Sequence, residues 1–144
     1  MHSVYALVLL SAMLLSGAQV AVPPFSQWES GPGGTAGAQV ACRDDGIAFA
    51  PAPGVQSSGW ARAWLDVDAS LDIVVESRYV LSGLNPEAVA AIKVMAVDAD
   101  GKETLLLDSG VSASAGGAAR RRDLFSSDKL QAAGARRLLL CVYI

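Results

Sequence analysis

Hydrophobic and polar positions change their pattern along this chain. From Val4 to Leu15 (VYALVLLSAMLL) apolar residues are almost continuous, whereas later segments are short and punctuated by turn residues. Gln39 to Cys42 and Ile47 to Ala50 are predicted as strands around the turn Arg43-Asp44-Asp45-Gly46. Trp60 to Val67 and Leu71 to Leu81 are longer strand candidates separated by Asp68-Ala69-Ser70. Ile92 to Val97 and Glu103 to Leu107 flank Asp98-Ala99-Asp100-Gly101-Lys102, a hairpin signal, and Arg137 to Ile144 is the last strand. Asn85-Pro86-Glu87 also suits a helix start, but the β-branched residues of Ile92 to Val97 favour a strand after a short turn. Ser127 to Ala133 is expected to be a brief helical connector.

Strands at short intervals without alternating helices point to an all-β fold. The expected architecture is a jelly-roll-like antiparallel β-sandwich behind an N-terminal signal helix. The first apolar run has the length of a signal-peptide h-region, about a dozen residues, and Ser16-Gly17-Ala18 follows it as a cleavage site. A membrane-spanning helix needs ~20 apolar residues, and Gln19, Pro23 and Pro24 interrupt this run too early. Residues 1–18 are therefore expected to be a signal peptide cut after Ala18, the only part of the chain to meet a membrane. The alternative is a buried N-terminal element. Residues 19–37, with the glycine-rich stretch Ser30 to Gly37, form an expected flexible lead, and residues 38–144 one β-sandwich domain. The implied location is secreted or extracellular, or periplasmic in a bacterium.

Export changes how the remaining composition is understood. Cys42 and Cys141, the two cysteines, are expected to form a disulfide in an oxidising compartment, with two buried, reduced cysteines as the alternative. Closing so long a loop would stabilise by up to ~4.7 kcal/mol in the chain-entropy model. The net charge of −3 is unevenly distributed, with Arg120, Arg121, Arg122, Lys129, Arg136 and Arg137 clustered late in the chain. Such a cluster can hold nucleic acid or an anionic polysaccharide, but export argues against nucleic acid, and a solvated loop explains it as well. Cleavage also removes His2, the single histidine. Ser-His-Asp and Cys-His catalysis and histidine-bearing zinc sites then have no basis, and the phosphate- and dinucleotide-binding glycine motifs are absent. A non-enzymatic role is the expectation.

The segment Trp60 to Asp68 carries the candidate site. Side chains alternate across a strand, so Trp60, Arg62, Trp64, Asp66 and Asp68 share one face while Ala61, Ala63, Leu65 and Val67 share the other. The aliphatic set is expected to enter the core. If Asp68-Ala69-Ser70 folds the chain into a hairpin, Trp64 lies opposite Val74, Arg62 opposite Glu76 and Trp60 opposite Arg78. The same register brings Asp66, Asp68 and Asp72 together as a candidate structural calcium cluster, with a solvated turn as the alternative. No other cofactor is expected. Indoles four residues apart on a strand are ~13 Å apart, which suits stacking on successive units of an extended sugar chain; the alternative is that one or both tryptophans belong to the sandwich core. Arg62 and Glu76 would supply hydrogen bonds between the indoles, and the Arg78 guanidinium, beside Trp60, completes the expected ligand-binding set.

Trp60 to Asp68, Tyr79-Val80-Leu81-Ser82-Gly83, Ile92 to Asp98 with Gly101, and Leu130 with Gly134-Ala135-Arg136-Arg137-Leu138 follow one another in an order that resembles galactose-binding-domain-like carbohydrate-binding modules. That resemblance implies a jelly-roll sandwich attached to polysaccharide-degrading enzymes and often holding a structural calcium. The expected role is an exported, non-catalytic module that binds an extracellular glycan by aromatic stacking. The alternatives are a structural or adhesive domain that binds a cell-surface protein, and an accessory domain cut from a glycoside hydrolase or polysaccharide lyase.

Overall fold

The computed structural model describes residues 5–14, 19–20, 22–34, 37–50, 57–82, 89–112 and 118–144. They form eleven strands: β1 (Tyr5–Leu14), β2 (Gln19–Val20), β3 (Glu29–Gly33), β4 (Gln39–Arg43), β5 (Gly46–Ala50), β6 (Ser58–Asp66), β7 (Ile73–Ser82), β8 (Val89–Val97), β9 (Glu103–Ser112), β10 (Ala118–Phe125) and β11 (Arg137–Tyr143). Besides a single 3-10 turn at Phe25–Gln27, one short α-helix, α1 (Ser127–Ala132), begins where the Ser126 hydroxyl accepts the Lys129 amide.

From β6 onward the pairing is nested. β8 pairs with β9, β7 with β10 and β6 with β11, all antiparallel. That is the pattern of one long hairpin rolled into two layers, the principle of a jelly roll. Asp98 closes its tip: its carboxylate accepts the Asp100 and Lys102 amides, and Gly101 takes a positive φ of 81°. Rolling places β6, β11, β8 and β9, with β3 added outside β6, in a five-stranded sheet of order β3-β6-β11-β8-β9. β10 and β7 continue into β1 and β2 as a four-stranded sheet, and β4–β5 forms a separate hairpin.

Alternation decides what lies between the layers. Ala61, Ala63 and Leu65 of β6, Leu138, Leu140 and Val142 of β11, and Ile92, Val94 and Ala96 of β8 face inward. They meet Ile73 and Val75 of β7 and Phe125 of β10, with Ile47 and Phe49 of β5 beside them. Each such large aliphatic or aromatic side chain stabilises by ~1.5–3 kcal/mol when fully buried. The aliphatic half of the Trp60 strand is therefore core, as its pattern predicts.

Several expectations are corrected. Tyr5–Leu14 is an extended strand, not a signal helix, and pairs with β7 from Tyr5↔Ser82 to Leu14↔Ile73. A run apolar at both parities suits a strand between two neighbours as well as it suits a helix. The proposed cut after Ala18 lies outside the described residues. Glu29–Gly33, expected as flexible lead, pairs with β6 from Glu29↔Arg62 to Gly33↔Ser58. Its glycines serve close approach: a Cβ on Gly31 would stand 2.8 Å from the Trp60 ring. Nor do β6 and β7 form a hairpin, because Asp68-Ala69-Ser70 carries the chain from one sheet to the other. Cys42 and Cys141 are free thiols. Cys42 packs on the core opposite Ile47, whereas Cys141 alternates with Leu140 and Val142 and so faces out of the sandwich. A thiol packed on the core and a thiol on the outer face of the five-stranded sheet point apart and cannot bridge.

Candidate functional site

The outer face of the five-stranded sheet collects the polar halves of its strands. Cross-strand pairing builds a row Glu29, Arg62, Cys141, Lys93 and Asp108 over β3, β6, β11, β8 and β9. A second row runs Gly31, Trp60, Tyr143 and Ala91, and a third runs Trp64, Leu139, Met95 and Leu105. Charged groups thus lie between two apolar and aromatic rows.

Arg62 organises the first half. Its guanidinium lies 5.1 Å from the Trp60 ring centre and 4.9 Å from that of Trp64, filling the gap between the indoles. Arg62 Nε donates to Glu29 Oε2 at 3.0 Å, and Trp60 Nε1 donates to the Pro32 carbonyl at 3.1 Å across the space that Gly31 leaves free. Lys93 organises the second half. Its ammonium lies 5.0 Å from the Tyr143 ring and 3.7 Å from Asp108, to which the Tyr143 hydroxyl donates at 2.9 Å.

Exposed ion pairs and cation–π contacts of this kind are each worth ~0.2–1 kcal/mol, little beside the core below. Their effect is to hold flat, polar-edged rings in place. Trp60, Arg62 and Trp64 are half-buried, so none of the three is sealed inside the core. Burial pushes the Tyr143 phenol above its ordinary pKa, and the Asp108 hydrogen bond adds to that. Burial also raises the Cys141 thiol against the pull of Arg62 and Lys93, so it stands protonated at neutral pH.

Three of the five residues expected at the ligand site therefore come together: Trp60, Arg62 and Trp64. Glu76 and Arg78 do not join them. Both lie on β7 in the other sheet, and Glu29 of β3 takes the place assigned to Glu76. The error came from placing β7 beside β6. Asp66, Asp68 and Asp72 do not gather, and no metal-sized group of acidic, cysteine or histidine side chains occurs among the described residues. Asp66 stands opposite Arg137, Asp68 accepts both the amide and the hydroxyl of Ser70, and Asp72 accepts the Ser127 amide. Those bonds hold the Asp68 carboxyl below its usual range. Sequence reasoning missed Glu29, Lys93, Asp108 and Tyr143. The available signal was Lys93, the one charge within the apolar strand Ile92 to Val97.

No family model matches this chain, and neither a curated protein nor a solved structure is similar to it.

Proposed function

We propose that the protein is a non-catalytic glycan-binding module whose ligand lies along the outer face of the five-stranded sheet. The observation that carries this reading is the half-exposed Trp60–Arg62–Trp64 stack, bordered by Glu29, Lys93, Asp108 and Tyr143. Sugar rings offer apolar C–H patches to an indole face and hydroxyls to charged groups beside it. Arg62 and Lys93 are each matched by a carboxylate, Glu29 and Asp108, so the ground between the rings suits a neutral sugar chain rather than a polyanion. An extracellular location and an extracellular glycan as ligand belong to the same proposal, as does the kinship with galactose-binding-like modules.

A second reading, a protein interface, is favoured by Leu105, which is 56% exposed at the end of the row Trp64, Leu139 and Met95. A glycan array probed with the full chain separates the two. Binding to extended neutral glycans that Trp64→Ala abolishes and Leu105→Ser leaves intact supports the glycan site. Loss with Leu105→Ser alone, or an array without signal, favours the protein interface.

A further inference from the structure

The opposite outer face, on the four-stranded sheet, has different chemistry. The sequence run Arg120-Arg121-Arg122 is divided by alternation. Arg121 turns toward β9, where it bonds Ser109 and meets Asp123 at 3.0 Å. Arg120 and Arg122 point outward and are exposed, with side chains 60% and 63% accessible. Pairing of β10 with β7 sets Arg120 directly opposite Arg78, also exposed, and Arg122 opposite Glu76.

Like charges directly opposite on a sheet are destabilising. Glu76 relieves only part of this: Arg120 Nη2 lies 2.9 Å from its Oε2 and Arg122 Nε 3.8 Å from its Oε1. The hydrogen bond from Arg120 holds the Glu76 carboxyl ionised, below its usual range. Among the described residues no other carboxylate pairs with these three guanidiniums. Two positive charges therefore remain in excess on a chain whose net charge is −3.

We infer that Arg78, Arg120 and Arg122 form a binding site for a sulfated polysaccharide, separate from the tryptophan face. Arginines two apart on a strand lie ~7 Å from each other, and a directly opposite residue lies ~5 Å away, so the three span one or two sugar units. The planar guanidinium fork matches the oxygens of a sulfate in pairs. A nucleic-acid surface commonly engages ~6–10 phosphates, more than this compact patch can reach. Bulk attraction cannot replace the patch, because the chain as a whole repels polyanions.

Heparin-agarose chromatography of the full chain at neutral pH tests the site, with dextran sulfate, plain dextran and a short DNA duplex as competitors. The chain is expected to be retained, released by dextran sulfate, and unaffected by plain dextran or by duplex at equal charge concentration. Arg78→Gln/Arg120→Gln/Arg122→Gln, verified as folded by circular dichroism, is expected to bind heparin at least about tenfold more weakly. The corresponding triple lysine variant stays on the column. Arg136→Gln/Arg137→Gln and Trp60→Ala/Trp64→Ala leave retention unchanged, so failure of the glycan face and failure of this site are read separately. Unretained wild-type chain, retention that survives the triple Gln change, or release by the duplex would overturn the inference.

Discussion

Arginine stands at the centre of both outer faces, yet its neighbours give it opposite roles. On the five-stranded sheet Arg62 is stacked between two indoles and bonded to Glu29, and Lys93 is likewise matched by Asp108. On the four-stranded sheet Arg78, Arg120 and Arg122 share a single carboxylate, Glu76. The first arrangement neutralises charge and displays flat rings; the second leaves charge in excess and displays no described aromatic. A cation on a sheet face therefore says little about its ligand until its cross-strand partners are known. One sandwich can in this way carry two surfaces of different chemistry over a common core.

The two sheets also differ in what completes them, and this gives the largest expected effect. β1 supplies the whole neighbour of β7 on one side and, among the described residues, the only partner of β2. Removal of residues 1–18 is expected to abolish the cooperative thermal transition seen by circular dichroism, together with heparin retention. A two-stranded remnant is marginal in water. If the shortened chain melts as the full chain does, β1 is not a structural strand.

A smaller change should separate the faces. Gly31→Val places a branched side chain where a Cβ alone would stand 2.8 Å from the Trp60 ring. The indole must leave β3 and lose its bond to Pro32. Stability is expected to fall by ~1–3 kcal/mol in a denaturant titration, with glycan binding lost and heparin retention kept.

How much of this was legible beforehand follows from distance along the chain. Alternation within Trp60 to Asp68 correctly assigned Ala61, Ala63 and Leu65 to the core and brought Trp60, Arg62 and Trp64 onto one face. The hairpin at Asp98 to Lys102 and the connector after Ser126 were equally local and equally readable. What failed required knowledge of pairing. In a rolled hairpin each strand's neighbours lie far away in sequence, so Glu29 and Cys141 beside Arg62 left no local trace. The same ignorance of neighbours made the Tyr5–Leu14 run look like a helix, and made Cys42 and Cys141 look like a pair although one faces inward and the other outward.

The smallest effect concerns Tyr143. Tyr143→Phe removes its bond to Asp108 and is expected to cost about 0.5–1.5 kcal/mol, measured by denaturant titration at neutral pH. The phenol's pKa is raised in the folded chain, so its neutral form is the one the fold prefers. Its contribution is therefore complete below the ordinary tyrosine pKa and is lost as pH rises through the folded value. The gap in stability between wild type and Tyr143→Phe should narrow across that alkaline window. A gap independent of pH would separate the hydroxyl from the Lys93–Asp108 pair.

The central claim, that the tryptophan face holds a neutral glycan, is tested most directly by intrinsic fluorescence. Of the three tryptophans Trp28 is only 5% exposed, so a ligand-induced change must come from Trp60 and Trp64. Titration of the full chain with linear neutral oligosaccharides is expected to give a saturable change in emission that Trp60→Ala/Trp64→Ala removes and Arg120→Gln/Arg122→Gln preserves. Emission that no member of the panel alters, or a change that survives loss of both half-buried indoles, would contradict it.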